Sequence, residues 1–359
     1  MEPNPHTPNY EQPAPPMQMA PPYASPPPRR RFGVLGALFL LFLFGVLAVS
    51  MLMNVAFLFG AGSMDAARRV RERYVSHERF APHKVAIISL DGVILDADDG
   101  FVKRQIDQAA KDDALKAVVL RINSPGGTIT GSDYLYHHLT KLREESSIPI
   151  VVSMGSLAAS GGYYVAMAVG DNPDVIFAEP TTWTGSIGVI IPHYNASKLI
   201  EHIGVEENSI ASHRLKGMGS FFKTMTDEER EIFQALVDDG FARFKQVIKT
   251  GRPKFEKDGE ALDKLATGQV YSANQALELG LVDKIGFVEE AIERAIELAD
   301  VDPKEVTVVK YEREPSLASL LLGVQAQRSS FDLAALFDLA APRAYYLYTM
   351  VPPLIRGNH

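Results

Sequence analysis

Cysteine is absent from the 359-residue chain. That excludes disulfide frameworks, thiol nucleophiles, and zinc or iron–sulfur sites held by thiolates. It is compatible with an oxidising compartment without requiring one. Positive charge is not in excess either: 44 acidic residues against 36 basic ones leave a formal net charge of −8. A general nucleic-acid binder carries a basic face, so this balance argues against one. The rest of the composition is ordinary, with 46% hydrophobic and 22% charged residues. Such a chain can bury a sizeable core. Its length allows one large domain with appendages, or two small domains.

Two stretches are defined by what they miss. Residues 1–31 have almost no aliphatic side chains and hold 11 of the 23 prolines. Runs such as Pro26-Pro27-Pro28 favour extended polyproline geometry and cannot build a core. The expectation is a disordered tail, with capture by a proline-recognition module as the alternative. Residues 32–60 lack any charge across 29 positions and are rich in Leu, Phe, Val and Met. About 20 apolar residues span a bilayer's hydrocarbon core, so this stretch reads as a transmembrane helix with room to tilt. A cleaved signal peptide has a shorter apolar run of roughly 7–15 residues and no long proline-rich leader. An uncleaved anchor is therefore expected.

Charge on either side of the span pulls in opposite directions. Arg29, Arg30 and Arg31 abut its start and place the amino terminus in the cytoplasm. Arg68, Arg69, Arg71, Arg73 and Arg79 follow it. Long domains translocate despite their charge, so the abutting triplet carries more weight. Residues 61–82 then read as a juxtamembrane linker.

Residues 83–311 alternate strand and helix patterns. Strands are expected at Val85–Leu90, Ala117–Ile122, Ile148–Met154, Ile187–Ile191 and Val306–Val309. Helices are expected at Val102–Lys111, Ser132–Glu145, Ser160–Val169, Asp227–Lys249, Ala273–Leu279 and Val288–Leu298. This spacing implies an α/β domain. Residues 312–359 read as a loosely structured tail carrying the cluster Tyr345-Tyr346-Leu347-Tyr348. The cluster suits a subunit interface or a membrane surface. Trp183 and the pair Tyr163-Tyr164 read as core packing ahead of pocket lining. Asp96-Ala97-Asp98-Asp99-Gly100 departs from calcium-loop spacing and reads as an acidic turn.

The densest chemical signal is Ser153-Met154-Gly155-Ser156-Leu157-Ala158-Ala159-Ser160-Gly161-Gly162-Tyr163-Tyr164. A strand runs into a turn of small residues and then a helix. Ser160 at that helix start has two readings. It can attack a carbonyl, with the glycines admitting a substrate backbone and nearby N–H groups holding an oxyanion. It can equally cap the helix. A second glycine turn, Asn123-Ser124-Pro125-Gly126-Gly127-Thr128, follows the preceding strand. It reads either as a tight turn or as an N–H donor facing the same crevice, since adjacent parallel strands end on one side.

A serine nucleophile needs a base. None of the nine histidines forms a triad signature, and no G-x-S-x-G elbow occurs. A neutral lysine serves in Ser-Lys enzymes. A free lysine titrates near 10.4, so work near neutrality requires a drop of roughly three units, about 4 kcal/mol, which burial supplies. Lys216, in Ser212-His213-Arg214-Leu215-Lys216-Gly217-Met218-Gly219, sits in a glycine-containing loop before the long helix, and Lys223 is placed similarly. Taken alone, both read as surface lysines.

These motifs, in this order, resemble the signal peptide peptidase A family of membrane-anchored Ser-Lys serine proteases. The resemblance runs from about Lys84 to about Tyr311. It also draws on Asp91-Gly92, Thr184-Gly185-Ser186-Ile187-Gly188-Val189, Gly268-Gln269-Val270-Tyr271 and Gly280-Leu281-Val282-Asp283. It implies that Ser160 is the nucleophile, Lys216 the general base, Gly127 and Gly161 the oxyanion donors, and Ser186 a hydrogen-bond partner that orients the lysine. The sequence departs from the family pattern at Thr128 and His213, where glycines are common, and by an insertion near Gly170–Asp174. Lys223 stands as the alternative base. The resemblance further implies a ClpP/crotonase-like spiral fold of repeated strand–strand–helix units. It implies a homo-oligomeric ring whose protomers share active sites, and a catalytic domain outside the cytoplasm on the cell membrane. The implied substrates are remnant signal peptides and similar apolar peptides, and no cofactor or metal is needed. Two rival readings are a catalytically inactive membrane ring scaffold and a crotonase-type acyl-CoA lyase or hydratase.

Overall fold

The computed structural model describes residues 33–66, 69–95, 98, 100–314 and 345–347. The proline-rich segment 1–31, most of the tail at 312–359 and part of the acidic turn at 96–99 lie outside the described residues. Two compact units divide the chain, residues 1–57 and 58–359.

Helix α1 (Val34–Ala66) runs for 33 residues. Its window Gly36–Val55 covers 20 residues at a mean hydropathy of 2.5, with none of it buried by protein. Large apolar side chains such as Leu41, Phe44 and Leu52 stand exposed all round. A helix apolar on every face is stable only in a protein core or in hydrocarbon. The chain therefore carries one helix long and apolar enough to cross a membrane.

The second unit is an α/β domain built on a nine-stranded, mostly parallel sheet. In chain order its strands are β1 (Val70–His77), β2 (His83–Asp91) and β3 (Leu115–Ser124). A short β4 (Gly126–Thr128) belongs to a separate two-stranded sheet. Then come β5 (Ile150–Ala159), β6 (Ile176–Ala178), β7 (Trp183–Gly185), β8 (Val270–Ser272), β9 (Lys284–Ile285) and β10 (Val306–Arg313). The central path runs β1-β10-β2-β3-β5-β6-β9. Ala117, Val118, Val119 and Leu120 of β3 are wholly buried, as are Ile150, Val151 and Val152 of β5. Such unbroken apolar runs, covered on both faces, are what a parallel sheet flanked by helices demands.

The helices are α2 (Phe101–Ala109), α3 (Ile129–Ser146), α4 (Gly161–Ala166), α5 (Ser197–His202) and α6 (Asp227–Gly251). They continue with α7 (Pro253–Lys257), α8 (Gly259–Leu265), α9 (Ala273–Leu279) and α10 (Val288–Leu298). Most begin with the chemistry that stops a helix fraying. Thr128 caps α3, Thr226 and Glu229 form a reciprocal capping box on α6, and Ser272 and Gln275 form another on α9.

Strand β5 serves two neighbours. Its first half pairs with β6, Met154 opposite Ala178, and its second half pairs with β7, Ala158 opposite Thr184. The strand is thereby handed from one set of partners to the next just before it ends at Ala159.

Three elements differ from the sequence reading. The stretch 61–82 holds the end of α1 and all of β1, which pairs antiparallel with β10 and closes that edge. Its charges hid it: Arg71, Glu72 and Arg73 interrupt the apolar pattern, and Arg73 Nε pairs with Glu312 Oε1 at 2.6 Å across the strands. Charged residues are the usual guard of an exposed sheet edge. The strand expected at Ile187–Ile191 is instead β7, four residues earlier. Gly185 and Ser186 take φ values of 83° and 50° and turn the chain out of the sheet before Ile187 is reached. Finally, Tyr345–Leu347 in the C-terminal tail forms a strand, β11, antiparallel to β4.

Candidate active site

Two neighbouring strand-to-helix turns define the site. Strands β3 and β5 are parallel, with Ser124 opposite Ala158, so their carboxyl ends lie side by side. From one end the chain passes through Gly126 and Gly127 into α3. From the other it passes through Ser160 into α4. Ligands collect at such strand ends in α/β sheets.

The first turn is held by Ser124, whose Oγ donates to the Gly92 carbonyl at 2.6 Å and accepts from the Gly126 amide at 3.1 Å. Gly126 takes a φ of 98°, a region closed to most residues. Gly127 has no room for a side chain: a β-carbon there would lie 1.7 Å from the Ile94 carbonyl oxygen. The Gly126 carbonyl accepts from Ile94, and the Thr128 amide donates to Ile94. Peptide groups alternate sides along a strand. The N–H of Gly127 therefore points away from Ile94, into the cleft.

The second turn is strained. Ser160 has φ 55° and ψ −116°, an unusual backbone for a residue with a β-carbon, and is only 1% exposed. Its amide donates to the Gly185 carbonyl at 2.7 Å, and its carbonyl accepts from Tyr164 at 2.8 Å. Its hydroxyl makes no capping bond to α4. The helix-cap account of this serine thus lacks its defining contact. Strain of this kind, worth of order 1–3 kcal/mol, gathers at functional sites. Gly161 follows directly, and a β-carbon on it would lie 3.1 Å from the Gly127 nitrogen. The two N–H-bearing glycines are immediate neighbours.

Ser186 completes this corner. Ala159 pairs with Gly185, so the next residues along, Ser160 and Ser186, stand side by side. Ser186 is buried, and its amide donates to the Gln269 carbonyl at 2.7 Å. The structure thus brings Ser160, Gly127, Gly161 and Ser186 together.

It does not bring Lys216 to them within one chain. Lys216 lies on a short 3-10 turn, Arg214–Gly217, and is exposed. Among the described residues its ammonium has no ion-pair or hydrogen-bond partner. Lys223 is occupied instead: its Nζ donates to Glu229 Oε1 at 2.6 Å. Glu229 also accepts from the Thr226 amide at 2.9 Å as half of the α6 capping box. That makes Lys223 the anchor of a helix start and a poor candidate for a free base.

The pair predicts a pH effect. The Lys223 hydrogen bond, then the Thr226 N–H, hold the Glu229 carboxyl below the usual carboxylate range. A depressed carboxyl adds stability at pH values above its unfolded pKa, about 4.3, and that stability drains as pH falls through the folded value. Glu229→Gln is expected to cost about 1–3 kcal/mol at pH 7. Thermal melts by circular dichroism should show the gap from wild type closing as the medium is acidified below pH 4.

Tyr163 and Tyr164 are fully buried, as expected, while Trp183 is 52% exposed beside the cleft, against the expectation of core packing. Among the described residues no group of three His, Asp or Glu side chains converges to hold a metal.

Comparison with known proteins bears on this arrangement. A family model described as Peptidase family S49 matches residues 143–302, which contain Ser160, Ser186 and Lys216. A candidate protease of Synechocystis is 36% identical over 244 residues, covering 68% of this chain and 84% of that protein. A candidate signal peptide peptidase A of Enterococcus faecium is 35% identical over 252 residues, covering 67% and 70% respectively. Protease 4 of Haemophilus influenzae is 30% identical over 306 residues, covering 79% of this chain. The chain spans about half the length of that last, longer relative, at 48%.

Proposed function

The chain belongs to peptidase family S49 and is a serine-type peptidase; on that premise we propose that it is a membrane-anchored endopeptidase using Ser160 and Lys216 as its catalytic pair. The observation that carries this reading is the state of Ser160. It is buried and strained, its hydroxyl makes no helix-capping bond, and it sits beside two glycine amides. A structural serine gains nothing from that conformation.

In the proposed mechanism, neutral Lys216 takes the Ser160 proton as the oxygen attacks a substrate carbonyl. The N–H groups of Gly127 and Gly161 hold the oxyanion. Lys216 then protonates the leaving amine, and a water deprotonated by the same lysine hydrolyses the acyl-enzyme. Ser186, beside Ser160, accepts from the lysine ammonium and keeps it aimed.

The exposed, partnerless Lys216 supports a site completed between protomers, with Lys216 supplied by one copy to Ser160 of the next. Apolar side chains around it, including Ile190, Leu199, Ile203, Val205 and Phe222, stand in solvent in a single chain. An apolar surface of this kind marks an interaction site. A closed ring of heterologous contacts would cover it and would desolvate the lysine, lowering its pKa as the mechanism requires.

The α1 anchor raises the local concentration of enzyme at the membrane, where remnant signal peptides and other apolar segments reside. With the amino terminus cytoplasmic, the catalytic unit works outside the cytoplasm. The test is cleavage of a detergent-solubilised signal-peptide sequence by the full chain, followed by mass spectrometry. Lys216→Ala is expected to abolish cuts within the apolar stretch. Lys223→Ala is expected to retain most activity and to lower the melting temperature. The reverse pattern would move the base to Lys223.

A further inference from the structure

Strand β11 occupies the cleft. Its register sets Tyr345 opposite Thr128, Tyr346 opposite Gly127 and Leu347 opposite Gly126. Because the Gly127 peptide groups face away from Ile94, they face Tyr346. A β-carbon added at Gly126 would lie 2.1 Å from the Tyr346 carbonyl oxygen and 2.5 Å from the Gly161 nitrogen. That carbonyl therefore borders the same methyl-sized space as the Gly161 amide, beside Gly127.

The Tyr346 side chain fills a prepared pocket. It is wholly buried, although it lies 30 residues beyond the last strand of the main sheet. Its ring stacks on Tyr164, with centroids 5.0 Å apart and planes at 25°, and meets Phe244 of α6 at 4.5 Å. Its hydroxyl donates to the Gly240 carbonyl at 2.6 Å, a polar stop at the pocket floor. Tyr164 in turn is fixed by a hydrogen bond from its own hydroxyl to Asp133, which Arg243 also holds. The walls belong to α4 and α6 and are anchored independently of the occupant. A flat apolar slot ending in one acceptor matches a phenol.

We propose that the Tyr164–Phe244–Gly240 pocket is the subsite for the substrate residue whose carbonyl is attacked, that it takes an aromatic side chain with tyrosine preferred, and that Tyr345–Leu347 holds it as a resident competitor. This rests on the peptidase reading of Ser160, since it is the proximity of Gly127 and Gly161 that gives the pocket its place in the reaction. The enzyme then cuts apolar peptides after tyrosine or phenylalanine, and only when its own tail has left the cleft. An occupant tethered in the same chain acts at millimolar effective concentration, so removing it tightens peptide binding by at least about tenfold.

The test separates binding from chemistry by using the full chain in detergent with Ser160→Ala as the parent. The probe is a fluorescein-labelled Ala-Tyr-Tyr-Leu-Tyr peptide, and the readout is anisotropy. The double variant Ser160→Ala/Tyr346→Ala is expected to bind it at least tenfold more tightly than the parent. A probe with alanine at its third position is expected to lose that gain. Tyr346→Phe keeps the ring and loses only the hydroxyl bond, so it should fall between the two; it serves if the alanine variant unfolds. Equal binding by the parent and both variants would overturn the proposal. So would tight binding of the alanine probe. Probe binding as expected, in a wild-type chain that cuts nothing, would refute the peptidase chemistry and leave the pocket standing. Serine-dependent cuts that ignore tyrosine and phenylalanine would do the opposite.

Discussion

Ser160→Ala is expected to remove peptide cleavage altogether, a loss of at least ~10⁴-fold, with the fold intact. The argument has two halves. The oxygen is the only atom lost, and without it no acyl-enzyme forms. The backbone sees almost no change, because alanine has the same β-carbon at the same φ of 55°. The hydroxyl caps nothing in α4, so its deletion leaves no helix donor newly unpaired. A melting curve matching wild type, beside a blank mass-spectrometric digest, is the expected pair of results. Residual serine-independent cleavage at wild-type rates would place the nucleophile elsewhere.

Mixing two dead enzymes should restore a live one. Ser160→Ala lacks the nucleophile and Lys216→Ala lacks the base, so neither pure oligomer cuts. If each site takes its serine from one protomer and its lysine from the next, random 1:1 assembly leaves about a quarter of the sites whole in a ring of heterologous contacts. Activity should therefore rise from nothing to about a quarter of wild type once the two are dissociated and reassembled together. A dyad made within one chain predicts none, because every site then carries one lesion. The exposed Lys216, unlinked to Ser160 in a single chain, is what makes the first outcome the expected one.

The sequence made the site more readable than its surroundings. Ser160, Gly127 and Gly161 announce themselves because small residues after buried strands have few other uses, and the sheet register joins turns that lie far apart in sequence. Ser186 was harder to place in structure: its motif is plain, but the strand beside it was expected at Ile187–Ile191 and lies at Trp183–Gly185 instead. Periodicity cannot distinguish the two, because two consecutive positive-φ residues, Gly185 and Ser186, decide where the strand stops. Strand β1 was hidden by its edge charges. The short β6 and β9 were hidden by having only three and two residues. The tyrosine cluster was visible, yet nothing local could reveal that Tyr346 pairs with Gly127, a contact spanning more than two hundred residues. The reason Lys216 stands out is family pattern, since its own surroundings in one chain carry no mark of catalysis.

The backbone at Ser160 sets folding and chemistry against each other at one residue. Glycine would occupy φ 55°, ψ −116° without the clash of a β-carbon, and would relieve a strain of order 1–3 kcal/mol. The native chain is therefore less stable than a one-atom-group deletion would make it, and selection on folding alone would erase the nucleophile. Copies of this gene released from the need to cut would have a thermodynamic slope to descend, ending in a sturdier protein that assembles on membranes and cleaves nothing. An active enzyme and an inert look-alike of the same architecture are, in this sense, neighbours separated by one hydroxymethyl group.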